Sequence, residues 1–313
     1  MKFPLNHSRA LGGAVRLART RQSARIMGAL VLSLTLAGLT ACSAIKVAYN
    51  QAPELAYWLL DDYSDFNGSQ SLQVKAELAR LQDWHRRTQL PLYGQSLHTL
   101  QQQLLVDITP EQACSVLQDA RAKMAAVLAH AAPAVASVAA TLQPAQLGTL
   151  ERKFAKGNAQ WRSEQLDALP REVQTRRFKQ ARERSELLYG KLSGDQLDAL
   201  KRALALPGFD AAITYAERLR RQQDTLNTLQ AVATAAPAVK QPIPALQAVQ
   251  ALMQRTLDSP NADYQRYLAL QTRAGCAAFA ELHQLASPVQ RRLAVQHLNE
   301  YEQLVAGLAG AAP

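Results

Sequence analysis

Runs of Ala, Leu and Gln recur from Leu97 to Ala309, and this bias limits the possible folds more than any other feature of the sequence. These residues are strong helix formers, whereas strands favour β-branched and aromatic side chains. Only 6% of the 313 residues are aromatic, while 48% are hydrophobic and 19% are charged, as is ordinary for a globular chain that buries a sizeable core. We therefore predict an all-α fold, a multi-helix bundle.

Turn and capping residues divide this sequence into helical segments. We expect one helix to begin near Pro53, a second to run from Ser69 to Thr88 and end before Pro91, and a third to run from Leu92 to Val106. Breaks are expected at Pro and Gly residues such as Pro133. The later helices are predicted at 110–131, 144–169, 171–189, 195–205, 210–234, 244–257, 261–285 and 288–308.

Four of the predicted helix starts share one capping pattern. Each has Gln at the third helical position, three have Ser or Thr at the cap, and three have Pro at the first position. Local capping alone explains this repetition. The four glutamines are Gln112, Gln146, Gln196 and Gln290.

The Pro-rich segment 235–244 (AAPAVKQPIP) is the richest linker in the chain. We interpret it as a crossover within one helical domain that covers residues 42–313. A small C-terminal subdomain that begins near this segment is the alternative.

The first 41 residues have a different composition. A basic stretch without acidic residues ends at Arg25, and an apolar run from Ile26 to Gly38 follows it. This run is shorter than the roughly 20 apolar residues that a membrane-spanning helix needs. The sequence therefore predicts a cleaved secretion signal over residues 1–41.

The signal ends in Leu39-Thr40-Ala41-Cys42, which resembles the lipobox of bacterial lipoproteins. The resemblance implies that the Cys42 thiol receives a diacylglycerol and that cleavage makes Cys42 the new N-terminus, also acylated with a fatty acid such as palmitate. Two or three acyl chains would hold the protein durably at a membrane. The alternative is a plain secretory signal in which Cys42 has no role.

Ser43 follows the expected anchor and resembles the sorting class of outer-membrane lipoproteins, because Asp at this position is typical of retention in the inner membrane. The expected location is therefore the cell envelope, with the protein lipid-anchored to the outer membrane and facing the periplasm.

The formal charge of +10 does not indicate nucleic-acid binding once its position is considered. Residues 1–41 contain six of the 35 basic residues and none of the 25 acidic ones, so the mature chain carries 29 basic and 25 acidic residues. Such a small surplus gives little attraction to a polyanion. We expect no nucleic-acid partner.

Cys114 and Cys276 are the cysteines that remain after the anchor. In an oxidising periplasm they can pair, and a bridge across 162 positions would stabilise the fold by about 4–5 kcal/mol in the loop-entropy model. Cys114 also falls on an apolar stripe with Leu117, Met124 and Leu128, so a buried free thiol is the alternative. The sequence leaves both readings open.

The segment from Glu54 to Phe66 combines acidic and aromatic residues. Carboxylates beside aromatic rings could form a glycan cleft in which one acid protonates a leaving oxygen and another acts as base or nucleophile. Adjacent Asp61 and Asp62 point to different faces of a helix, however, which suits a solvated helix end better than convergent catalysis. The residues concerned are Glu54, Tyr57, Trp58, Asp61, Asp62, Tyr63, Asp65 and Phe66.

Two further segments are candidate binding surfaces. Trp84 and His85 end the second helix, either as a hydrogen-bonded edge of the core or as part of a recognition surface. Ten basic residues lie between Arg152 and Arg184 against four acidic ones, on a solvated face or on a surface for an anionic envelope partner. The basic candidates are Arg171, Arg176, Arg177 and Arg182.

Neither a metal site nor a cofactor site is predicted. The histidines lack HxxxH or HExxH spacing and no CxxC is present. A P-loop, a GxGxxG motif and a GxSxG motif are also missing from the sequence.

The combination of Tyr49-Asn50, Trp58, Asp61, Tyr63, Trp84-His85-Arg86 and Leu90-Pro91-x-Tyr93 resembles an uncharacterised family of bacterial lipoproteins with a domain of unknown function. The specific matches lie in residues 42–100, and Gln89 stands where such a pattern has an acid. The resemblance implies an envelope location and a helical fold, without an activity. The strings Ile108-Thr109-Pro110-Glu111-Gln112 and Leu192-Ser193-Gly194-Asp195-Gln196 are also similar, more weakly, to the L-T-x-x-Q motif of Spy- and CpxP-like periplasmic chaperones.

Two functions are compatible with these features. The first is a non-enzymatic envelope lipoprotein that binds a protein or an anionic surface, or acts as a structural helper. The second is a cell-wall or glycan enzyme that uses acids of the segment 54–66. We favour the first because the sequence shows no catalytic constellation with a spacing that chemistry requires.

Overall fold

The computed structural model describes residues 44–205, 208–235 and 242–310, so the predicted signal and Cys42 lie outside the described residues. The described residues contain no strand, and the all-α prediction is confirmed. Residues 44–50 are helical and belong to a unit of residues 1–51, while a second compact unit spans Ala52–Pro313. The second unit contains α1 (Ala52–Ser64), α2 (Gly68–Trp84), α3 (Leu90–Gln103), α4 (Pro110–Ala139), α5 (Pro144–Gln165), α6 (Pro170–Tyr189), α7 (Gly194–Ala205), α8 (Ala211–Thr234), α9 (Pro242–Leu257), α10 (Ala262–Gln284) and α11 (Pro288–Ala309).

Two of the predicted helix breaks are wrong. A π-helical turn, His85–Gln89, joins α2 directly to α3, and Pro91 lies in the first turn of α3, where proline is tolerated. Pro133 lies inside α4 and does not end it. Its ring is exposed, and buried alanines on another face of this part of the helix pack against α8 and α9, so tertiary contacts offset the lost hydrogen bond.

The capping prediction agrees with the structure. Thr109, Ser193 and Ser287 accept hydrogen bonds from the amides of the glutamines three positions later, and each glutamine side chain accepts one from the amide of its cap residue. Asn67 and Gln70 form a further capping box at the start of α2. These boxes set where the helices begin.

The glutamines of the capping boxes also join helices to one another. Gln70 and Gln146 exchange amide hydrogen bonds of 2.8 and 3.2 Å, which link the start of α2 to the start of α5. Gln290 donates to Gln196 at 2.9 Å, which links the start of α11 to the start of α7. One capping residue thus serves both a local and a long-range contact.

The two glutamine pairs belong to similar helix groups. Around Gln70 and Gln146, α1 packs on α2 and α5, and α2 packs on α4. Around Gln196 and Gln290, α6 packs on α7 and α11, and α7 packs on α10. The helix ends share a sequence, since Tyr63 and Tyr189 each lie seven residues before a paired glutamine, with Gly68 and Gly194 two residues before it. The structure therefore contains a repeated helical arrangement that was not recognised in the sequence.

Two hydrophobic cores lie along α4. One surrounds Ala113 and contains Leu104, Tyr189 and Leu282; the other contains Ala132, Ala136 and Ala139 of α4, with Val232 of α8 and Val249 of α9. The Pro133 end of α4 is therefore held by α8 and α9. The opposite face of this end remains available to α1 and α2.

Candidate functional site

An apolar groove of about 250 Å³ opens between α1, α2 and α4, with a single residue from α8. Twelve of its sixteen lining residues are apolar, so the groove offers few hydrogen-bond partners to a ligand. The apolar lining consists of Leu60, Phe66, Val74, Leu78, Leu81, Ala131, Ala134, Val135, Val138, Ala139, Leu142 and Leu229.

Helical spacing brings these side chains to one surface. On α2, Val74, Leu78 and Leu81 recur every three or four residues and so share one face. One face of α4 likewise carries apolar residues at helical spacing, namely Ala131, Ala134, Val135 and Val138. Alanine has only a methyl group, so this stretch of α4 does not fill the space that α1 and α2 leave, and a groove results.

Polar side chains lie at the edge of the groove. Arg80 and His130 are exposed, and Arg80 forms an ion pair with Glu77 on the same helix. The His130 ring stacks on Trp84 with centroids 3.8 Å apart and planes 5° from parallel. Trp84, which the sequence singled out as a candidate surface residue, therefore adjoins the groove through His130.

His85 is a hydrogen-bonded residue at the edge of the protein core. Its Nε2 lies 3.1 Å from the Tyr93 hydroxyl, and the two rings meet edge to face. Burial lowers the pKa of His85 and raises the pKa of Tyr93, so both are neutral near pH 7. Gln89 in the same π turn is 5% exposed, and its Oε1 is the one buried side-chain oxygen or nitrogen without a hydrogen-bond partner in the described part of the chain.

The acidic residues of the segment 54–66 have separate structural partners. Glu54 pairs with Lys75 at 3.3 Å and accepts a 2.7 Å hydrogen bond from the Trp58 indole. Asp61 accepts from the Phe66 amide at 2.9 Å. Asp62 forms an ion pair with Lys153, and Asp65 has a positive φ of 49° at the end of α1. Each acid therefore contributes to a helix end or to a contact between helices.

The candidate basic residues lie on α6 and are partly neutralised. Arg182 pairs with Glu186 at 3.0 Å, and Arg176 donates to the Glu164 carbonyl oxygen. The Arg177 guanidinium lies 4.6 Å from the centre of the Phe209 ring, and desolvation there lowers its pKa. Arg171 is exposed. The exposed positive surface is smaller than the sequence count suggests.

Cys114 and Cys276 form a disulfide that joins α4 to α10, with their Cα atoms 5.3 Å apart. Cys276 is buried in the first core and Cys114 packs against it. The apolar stripe that the sequence assigned to Cys114 is not a core face, because Leu117 and Met124 are 52% and 55% exposed. Of the two alternatives left open, the structure has the disulfide.

The part of the chain that the structure describes contains no group of three His, Cys, Asp or Glu side chains that could hold a metal ion. Among the same residues, α4 is the one helix long and apolar enough to cross a membrane by length and composition. This composition reflects the alanines and valines that line the groove and the second core.

The groove itself was not recognised in the sequence. Val74, Leu78 and Leu81 were identified as one helix face, but nothing in the sequence indicated that α4 lies opposite them. The small residues at 131, 134 and 139 were a signal for close approach or open space between helices, without distinguishing the two.

Residues 62–243, more than half of the chain, match the model of a family of unknown function. The matched region includes α2 and α4, which form most of the groove. No curated protein and no solved structure matches the chain.

Proposed function

Because this chain belongs to the DUF6279 family, which has no known function, we propose a function from its own residues: it is a non-enzymatic binding protein of the cell envelope. In this proposal Cys42 anchors it by lipid to the outer membrane, on the periplasmic side, and the groove between α1, α2 and α4 receives an apolar part of its ligand. The observation that carries the proposal is the groove, whose apolar lining is open to solvent. Ligand pockets are typically concave and mostly apolar, with a few polar groups at their edge.

The acidic segment supports a binding role over the enzymatic alternative. Glu54, Asp61 and Asp62 are each engaged with a different partner, and catalysis of glycoside hydrolysis needs two carboxylates directed at one bond. The basic face of α6 is a second candidate surface for an anionic envelope partner. We favour the groove because several arginines of that face are already engaged within the protein.

Binding in the groove is tested with a neutral naphthylamine dye that fluoresces in apolar surroundings. Ala134→Phe places a ring in the groove and should abolish the dye signal. Ala126→Phe is the matched control, because Ala126 lies exposed on the same helix outside the groove. Equal dye binding by both variants would contradict the proposal, and circular dichroism would show that both are folded.

The anchor is tested separately in cells. Cys42→Ser should abolish acylation and leave the precursor uncut, whereas inhibition of lipoprotein signal peptidase should leave an uncut precursor that still carries the diacylglycerol. Ser43→Asp is the control, since it should keep the acyl chains and move the protein to the inner membrane. A mature protein that begins elsewhere than an acylated Cys42 would contradict the anchor.

A further inference from the structure

The size of the groove limits which apolar ligand it can hold. An apolar cavity of about 150 Å³ binds benzene, which has six carbons. On that scale a groove of about 250 Å³ holds about ten carbons. This is part of one hydrocarbon chain, so a lipid with two chains would leave the second chain in water.

The apolar lining does not suit a buried peptide backbone. An extended peptide brings one N–H and one C=O per residue, and each needs a hydrogen-bond partner when buried. Apart from the hydrogen bond lost at Pro133, the helices that form the groove satisfy their backbone groups internally, and twelve of the sixteen lining side chains are apolar. A helical peptide cannot enter the groove as a whole, because one turn about 10 Å wide occupies roughly 400 Å³. A hydrocarbon chain meets neither difficulty.

The edge of the groove favours an acidic head group. Arg80 and His130 are exposed there, while Glu77 is the one carboxylate in the lining. Arg80 pairs with Glu77, and a carboxylate ligand at this edge could share the guanidinium. A single-chain lipid with a carboxylate head is a fatty acid.

Building on the proposed function, we propose that the groove between α1, α2 and α4 is a fatty-acid-binding site. The first ten or so carbons of the chain lie against Val74, Leu78 and Val135, and the carboxylate remains in water beside Arg80 and His130. The rest of a longer chain extends out of the open side of the groove.

The test is a chain-length series of saturated fatty acids, hexanoate to hexadecanoate, each displacing the neutral dye. The lipid-anchored mature protein is kept in solution by an amphipathic polymer, which also binds some dye. The dye fluorescence of the Ala134→Phe variant measures this binding to the polymer and is subtracted. Each buried methylene should tighten binding about fourfold, so decanoate should bind roughly 200-fold more tightly than hexanoate. Beyond decanoate the affinity should rise less than about tenfold in total, because added carbons leave the groove.

Further arms separate the outcomes. The wild type should bind decanol more weakly than decanoate, and Arg80→Gln should remove that difference. If Ala134→Phe unfolds the protein, Val135→Trp serves as the variant that blocks the groove. Dye binding without fatty-acid displacement would overturn the fatty-acid assignment and leave the proposed function standing. Tighter binding of lysophosphatidylethanolamine than of hexadecanoate, or affinity that grows steadily to hexadecanoate, would also overturn it. A lack of dye binding would instead refute the proposed function itself.

Discussion

Replacing Gln146 with Ala should destabilise the fold far more than a capping mutation normally does. The Gln146 side chain caps the Gln143 amide, exchanges hydrogen bonds with Gln70, and donates to the carbonyl oxygens of Ser64 and Asp65. Each of these five bonds contributes about 1 kcal/mol net, while the Gln70 side chain keeps its hydrogen bonds to the Asn67 amide and to Thr141. The total is about 5 kcal/mol, or a fall in Tm of roughly 10–15 °C.

Gln112→Ala is the matched control for this prediction. Gln112 occupies the third helical position at the start of α4, as Gln146 does in α5, but it is exposed and its side chain caps only the Thr109 amide. Its loss should cost about 1 kcal/mol and lower Tm by about 3 °C. Urea and thermal unfolding followed by circular dichroism measure both variants. Equal losses of stability would refute the claim that the glutamine pair joins α2 to α5.

Three further predictions concern other parts of the molecule. Cys276→Ser should lower the free energy of unfolding by about 4–5 kcal/mol in the loop-entropy model, and reductant should then have no further effect on urea unfolding. Burial lowers the pKa of His283, whose Nε2 lies 2.8 Å from the Val106 carbonyl oxygen, so the protein should lose stability as pH falls below the unfolded value of about 6.5. The urea midpoint should fall as the pH is lowered below about 6.5 in the wild type and in the His98→Gln control, whose histidine is exposed. In His283→Gln this fall should be smaller. The last prediction is that peptidoglycan digestion by the purified protein, measured by release of soluble fragments, is the same after amide replacement of Glu54, Asp61, Asp62 and Asp65; activity lost in that variant would restore the enzymatic alternative.

Local signals in the sequence predicted most of the helices. Capping residues such as Thr109 and Ser287 act on the amides of their own helix, so their positions show where helices begin without knowledge of the rest of the fold. Pro91 and Pro133 were misread as breaks because their effect depends on context. A π turn before Pro91 and tertiary packing around Pro133 keep the helices continuous.

Long-range features could not be obtained in the same way. The exchange between Gln70 and Gln146 depends on two helix starts that meet across 76 residues. The groove depends on α4 lying opposite α2, and the same alanines would have suited a closely packed interface. For Cys114, sequence alone could not decide between a disulfide and a buried thiol, since the partner lies on another helix.

The most direct test of the proposed fatty-acid site is a crystal structure of the protein grown with bromodecanoic acid labelled at its terminal carbon. Bromine scatters anomalously, so its position is located independently of the surrounding side chains. The proposal predicts a bromine peak among Val74, Val135 and Leu229, which line the groove. A peak confined to other surfaces, with these side chains repacked into an empty groove, would contradict it.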